Sequence, residues 1–238
     1  VRGASYDAPT ATVLPNAGYA VLKGNHDNKP FMLCMFATSL SRTHKHEDDL
    51  SITLWFDGIE WLIDPSFYSH DYSEPKPHYL RSAQAHTRVA LPRHPHSIEP
   101  GSTWLEKGGS SATLDVEGQT VAYEGTTISR HLHCPADALQ LTCRDSVHHV
   151  GDVAPISITF HCGEGVTPHL ARGKAELHHS SSDWSVVLAT QGLSRLSTYR
   201  GWEDERYQNG IAGAGFRTHT DTVAICGHLV GESARWTI

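Results

Sequence analysis

Short runs in which apolar and polar residues alternate recur along almost the whole chain, the period-two signature of half-buried strands rather than the roughly 3.6-residue repeat of a helix. The clearest case is Leu50-Ser-Ile-Thr-Leu-Trp-Phe, then Asp57-Gly58, then Ile59-Glu-Trp-Leu-Ile-Asp. Asp-Gly supplies the two positive-φ positions of a type I′ turn, so residues 50–64 predict a tight β-hairpin. Residues 111–117 and 119–123, divided by Gly118, predict a second one. Further strands are expected over residues 19–23, 31–38, 87–91, 128–134, 139–145, 156–161, 174–178, 184–189, 194–199, 215–220 and 222–229. No window of 11 or more residues carries convincing i, i+3, i+4 apolar spacing. The pattern predicts an all-β fold: a large antiparallel β-sandwich of supersandwich type, with many short strands and little helix.

One stretch breaks the alternation. Residues 64–100 contain Pro65, Pro75, Pro77, Pro92, Pro95 and Pro100 and read as loop, rich in aromatic and basic side chains. Residues 76–96 hold Lys76, Arg81, Arg88 and Arg93 and no acid, in a chain of formal net charge −7. Such a run is a candidate anion-contacting surface, with a solvated loop as the plain alternative. The overall balance, 19 Lys and Arg against 26 Asp and Glu, argues against a nucleic-acid partner. No apolar run approaches the ~18 residues of a spanning helix, so no membrane span is expected. Repeats, low-complexity tracts and linkers are not found, and one domain over residues 1–238 is the economical reading. Val1-Arg2-Gly3 carries neither an initiator Met nor a signal-peptide pattern, so a piece of a longer protein is expected.

Five cysteines, at 34, 134, 143, 162 and 226, are too scattered for a disulfide framework and lack the CxxC spacing of a thiolate zinc site. Free thiols are expected, even at Cys134 and Cys143, which flank an expected turn around Pro135-Ala136-Asp137 without facing each other. Histidine is the compositional anomaly, with 18 copies against 19 Lys and Arg. His-x-His occurs at 44–46, 94–96 and 131–133, and in a strand such a pair presents both imidazoles on one face. The first copy stands apart because Glu47, Asp48 and Asp49 follow it, and because the hairpin of residues 50–64 returns Asp64 towards His46. Two His and a carboxylate suit a first-row metal such as zinc, and a solvated polar turn is the alternative. The pairs His148-His149 and His178-His179 point to opposite faces, and His131 and His133 have no carboxylate pattern nearby; all are read as structural. The six tryptophans, at 55, 61, 104, 184, 202 and 236, fit strand packing; one of them could be a sugar platform, but nothing in the sequence chooses it. The glycine-rich residues 209–215 lack the flanking helix of a nucleotide loop.

Three ordered blocks, Thr43-His-Lys-His-Glu-Asp-Asp-Leu-Ser, Leu62-Ile-Asp-Pro-Ser and Arg81-Ser-Ala-Gln-Ala-His-Thr, resemble the C-terminal β-domain of heparinase II/III-like polysaccharide lyases. That family shows an HxHxDxLS pattern, a DPG or DSG at the end of the next strand, and an RSxxAHN segment after a Tyr-bearing loop. Gly18-Tyr-Ala-Val-Leu is similar to the family's first strand of this domain. Beyond Leu91 the likeness is confined to a similar run of strands. Ser66 stands where the family usually has Gly, and Thr87 where it has Asn; both departures bear on local loop shape.

The resemblance implies that His46, Asp64 and His86 bind zinc, that His44 faces the substrate and assists at the uronate, and that Asp48 orients a ligand imidazole. A Tyr on the loop between Asp64 and His86 lines the cleft in related lyases; Tyr72 is the first choice and Tyr68 the second. Arg81 is expected to grip a substrate carboxylate or sulfate, or else to serve a structural salt bridge, with Lys45 as a second substrate contact. A lyase of this kind removes the proton α to the sugar carboxylate and expels the 4-linked oxygen, which requires a neutralised carboxylate, a base and an acid. In the family much of that machinery sits on an N-terminal helical toroid, which this sequence does not contain. The expected partners are therefore that helical domain of the same protein and an acidic polysaccharide, with the chain alone having little or no activity. Elimination needs no metal-bound nucleophile, so the zinc is expected to be structural. Family members are usually exported, which makes a periplasmic or secreted location the expectation. Two other readings stay open: a noncatalytic carbohydrate-binding or capsule-assembly module with a structural metal, and a cupin-like metal enzyme.

Overall fold

The computed structural model describes residues 10–38, 45–91, 104–108, 110–121, 126–148, 155–203 and 208–238. Strands β1 (Thr10–Leu14), β2 (Tyr19–His26), β3 (Lys29–Phe36), β4 (Ile52–Phe56) and β5 (Ile59–Leu62) open the chain as antiparallel neighbours. Helix α1 (Pro75–Arg81), a 3-10 turn (Ala83–Ala85) and the short β6 (Val89–Ala90) follow. A second meander consists of β7 (Trp104–Gly108), β8 (Thr113–Val121), β9 (Thr127–Pro135) and β10 (Thr142–His148). The chain returns to the first sheet with β11 (Ser157–Cys162) and extends the second with β12 (Val166–Ala171), β13 (Lys174–His179) and β14 (Ser185–Gln191). After β15 (Ser197–Arg200), strands β16 (Ile211–Gly215) and β17 (Thr218–Asp221) make a hairpin of their own; β18 (Val223–His228) and β19 (Ser233–Thr237) complete the two sheets.

All ladders are antiparallel. The first sheet runs β1-β2-β3-β4-β5-β11-β18-β15, with β6 on β11, and the second β12-β13-β14-β19-β10-β9-β8-β7. Alternation sends one side chain in two to a shared core, such as Phe31, Leu33 and Met35 from β3 and Ile128, Leu132 and Cys134 from β9. Aromatic edges bridge the two sheets: Phe160 meets Trp236 at 5.2 Å and Phe56 meets Trp184 at 5.3 Å between centroids. Strand β11 differs in being buried on both faces. Its Ile158, Phe160 and Cys162 enter the core, while Thr159 and His161 on the other face hydrogen-bond to Gln208 and to the carbonyl of Gln84. The outer side of the first sheet is thus roofed by the segment after α1, and the site is built there.

The all-β architecture matches the alternation, and Asp57 and Gly58 take the positive φ angles, 47° and 86°, that the hairpin requires. Three local expectations need correction. Residues 111–123 do not form a hairpin: β8 runs straight through Gly118, which pairs with Arg130 on one side and Leu105 on the other. Leu114, Val116, Gly118 and Thr120 stay in phase on the buried face, and one glycine does not make a two-residue turn. The expected strand 215–220 is broken at Phe216-Arg217, where Arg217 has φ 56°, and the glycine-rich stretch before it is strand β16. The proline-rich loop contains α1, which starts at Pro75, where a missing N–H costs nothing; its seven residues are too few to show a helical period. All five cysteines are free, and the β9–β10 register sets Cys143 opposite Leu132 rather than Cys134.

Candidate functional site

Two loops, residues 45–51 and 81–88, are stitched together over β11. Glu47 N–H donates to the Arg81 carbonyl at 2.9 Å, and Ala83 N–H donates to the Glu47 carboxylate at 3.0 Å. Arg88 Nη1 reaches the Glu47 carbonyl at 2.8 Å, Arg81 Nε the Lys45 carbonyl at 2.9 Å, and Thr87 N–H the Ser51 hydroxyl at 3.2 Å. From the opposite sheet, the buried Arg130 donates through Nη1 to the carbonyls of Leu50 and Thr87, both at 2.7 Å. Its other nitrogens hold Asp145 at 2.6 and 2.9 Å, and Asp145 also accepts from the Trp236 indole at 2.8 Å. A charged anchor in the core therefore fixes the residues that follow the His-x-His motif and His86.

Asp64 and His86 meet at the centre: His86 Nδ1 donates to Asp64 Oδ2 at 2.8 Å, and the Ser51 hydroxyl donates to the same oxygen at 3.3 Å. The Ser66 N–H also reaches the Asp64 carboxylate, and Ser66 keeps a φ of 61°, the left-handed backbone that explains a preference for Gly at this position. His46 lies beside His86, ring centroids 5.5 Å apart and planes tilted by 50°. Burial works against the charged form of Asp64, but the neighbouring His86 outweighs it and holds the carboxyl down at about 2. For His86, burial is outweighed by Asp64, so its imidazolium is favoured. Burial, then repulsion from His86, pushes His46 down to about 4, and burial lowers His161 to about 4.

His86 is wholly buried, and its Nε2 has no hydrogen-bond partner; nor has Nδ1 of His161. An unpartnered buried nitrogen costs about 1–3 kcal/mol. As the side chains stand, no three His, Cys, Asp or Glu donors among the described residues group around one point. The chemistry of the set fits a zinc ion nonetheless: a neutral imidazole, a second imidazole with an orphan nitrogen, and an ionised carboxylate.

His44 lies outside the described residues. Lys45 is buried and ion-paired to Asp48 and, at 3.3 Å, to Asp49, so its ammonium is neutralised within its own loop and Asp48 is engaged with it. The Arg81 guanidinium stacks on the Tyr72 ring at 4.7 Å, joining both residues to the His46 loop. Tyr68 lies apart from that pair, against Lys76 and His219. Sequence reasoning missed Arg130 and His161, which come from distant strands and carry no local motif. It also missed Asp115, which accepts from His131 at 2.7 Å across the ladder and stands 3.8 Å from His133. Strand register, invisible in sequence, supplies that carboxylate.

A sequence model described as heparinase II/III-like, C-terminal, matches residues 7–237. Among solved structures, the chain is similar to the heparan sulfate lyase HepC from Pedobacter heparinus, with TM-score 0.77 and 12% identity over 95% of this chain and 36% of that one. It is similar to a heparinase III, with TM-score 0.75 and 15% identity over 97% of this chain and 36% of that one. A second heparinase III gene product gives TM-score 0.75 at 12% identity, over 99% and 36%. The chain spans little more than a third of the length of these proteins, and the likeness is one of fold. No curated protein sequence matches it.

Proposed function

Because this chain belongs to the heparinase II/III-like C-terminal family, we propose that it is the C-terminal domain of a polysaccharide lyase that cleaves a uronic-acid-containing polysaccharide by β-elimination. In this reading it carries a zinc site and one wall of the cleft, and a helical domain of the same protein supplies the other wall. His46, Asp64 and His86 would hold the zinc, whose contribution is to cross-link the loops around the cleft. The observation that carries the reading is the wholly buried His86, hydrogen-bonded to Asp64 through one nitrogen and orphaned at the other, beside a neutral His46.

The remaining roles follow from chemistry. Tyr72, its ring against the Arg81 guanidinium, would line the cleft and is the residue of this chain proposed to protonate the departing 4-oxygen. Arg81 keeps its terminal nitrogens for the uronate carboxylate, whose charge must be offset as the α-proton leaves. His44, two residues before His46, is proposed to assist at the uronate, and Asp48 to steady the His46 loop through Lys45.

Metal content of the purified chain and its His46→Ala and Asp64→Ala variants, by inductively coupled plasma mass spectrometry, tests the proposal. Near-stoichiometric zinc is expected in the parent and is expected to be lost in both variants. A parent chain that stays metal-free when zinc is offered without chelators would overturn the zinc site.

A further inference from the structure

Three side chains from separate parts of the chain meet on the face that carries α1. The Lys76 ammonium lies 6.0 Å from the centroid of the Tyr68 ring and 5.8 Å from that of Trp202. All three residues are half-buried. The rings are held from behind: Tyr68 and Trp202 rest on a small cluster of Tyr79, Leu80, Ala85 and Ile211, separate from the main core. Tyr79 meets Trp202 edge-on at 5.9 Å, and its hydroxyl donates to the Asn209 carbonyl at 2.6 Å. The β16–β17 hairpin locks the Tyr68 segment through main-chain bonds, Gly213 N–H to the Pro65 carbonyl at 2.7 Å and Arg217 N–H to the Tyr68 carbonyl at 2.9 Å. A side chain at Gly213 would strike the Phe67 carbonyl oxygen, a Cβ falling 2.0 Å from it, so this close approach needs glycine.

The neighbouring cations are held at other places. Arg217 pairs with Asp71 at 3.4 Å and Glu74 at 3.1 Å, Lys45 with Asp48 and Asp49, and Arg81 is bound to the Lys45 carbonyl and stacked on Tyr72. Among the described residues, no carboxylate pairs with Lys76. Other tryptophans are used in packing: Trp61 and Trp236 are buried, and Trp184 sits between His26 and Phe56. Trp202 alone among the described tryptophans combines partial exposure with an adjacent unpaired cation.

Resting on the lyase reading above, we propose that Tyr68, Lys76 and Trp202 form an accessory subsite for one anionic sugar residue of the substrate chain. The ammonium takes the carboxylate or sulfate, and the rings take the apolar face of the sugar. Lys76 and Arg81 lie five residues apart on α1, about 7–8 Å of helix rise and roughly 140° around its axis, so this subsite is separate from the Tyr72–Arg81 pair. Tyr68 accordingly binds, and Tyr72 reacts.

Isothermal titration of the 238-residue chain with a heparin hexasaccharide and with an alginate hexasaccharide tests the subsite. Lys76→Gln and Trp202→Leu are each expected to weaken binding about tenfold, with Lys76→Gln leaving zinc content and melting temperature unchanged. A larger loss with heparin identifies sulfate as the bound group; an equal or larger loss with alginate identifies carboxylate. Parent-like binding of both probes by Lys76→Gln would overturn the subsite and leave the lyase reading standing. A parent chain that binds neither probe would overturn the subsite together with the acidic substrate it presupposes.

Discussion

Arg130 belongs to the second sheet, yet its guanidinium holds two carbonyls of the loops that build the site on the first. Its partner Asp145 is fully buried, so Arg130→Met leaves an uncompensated carboxylate and two orphaned carbonyls. A loss of about 3–5 kcal/mol is expected in urea unfolding, with partial recovery in Arg130→Met/Asp145→Leu, because the buried unpaired charge is the larger part of the penalty. The ionisable centre makes a second residue-scale prediction, for protein freed of metal. His86 titrates above its ordinary value of 6.5, so its contribution is complete below pH 6.5 and is lost as pH rises through the folded value. His46 and His161 titrate near 4, so the native state loses stability as pH falls from 6.5 towards 4. Asp64, held at about 2 against 3.8, adds a further loss only as pH falls from 3.8 through 2. Thermal stability should therefore peak near pH 6.5 and decline towards pH 4, the decline shrinking in His161→Gln. A flat melting temperature across that range would contradict the burial of these imidazoles.

At the scale of elements, α1 and the β16–β17 hairpin depend on each other. Tyr79 is the joint: its hydroxyl donates to the Asn209 carbonyl and accepts from the Asn209 N–H at 3.1 Å. Tyr79→Phe removes both hydrogen bonds at a buried site and should cost about 1–3 kcal/mol, with faster amide exchange over residues 211–221 as the local readout. The same joint shows which elements were readable. The hairpin of residues 50–64 was legible because Asp57-Gly58 encodes its turn locally. Helix α1 was not, since seven residues with two prolines carry no period, and its stability comes from Tyr79 and Leu80 packing on a strand about 130 residues later. Strand β8 was misread as a hairpin because Gly118 looks like a turn until strands on both sides pair with it.

Across the whole molecule, the sheet order places β11 between β5 and β18, so that one strand contributes Phe160 to the core and His161 to the floor of the site. That arrangement explains why burial lowers the His46 and His161 imidazoles to about 4. The alternation of the chain sufficed for the all-β class, because burying one face of a strand is a local, period-two requirement. The ordered blocks at residues 43–51, 62–66 and 81–87 sufficed for the family, and the fold brings His46, Asp64 and His86 of those blocks side by side. Tertiary structure alone decided that Lys45 is paired off, that Arg130 anchors the loops, and that Trp202 lies beside Lys76. Each of those facts joins residues from distant strands, and such meetings are set by sheet order and register, which the local pattern of a sequence does not encode.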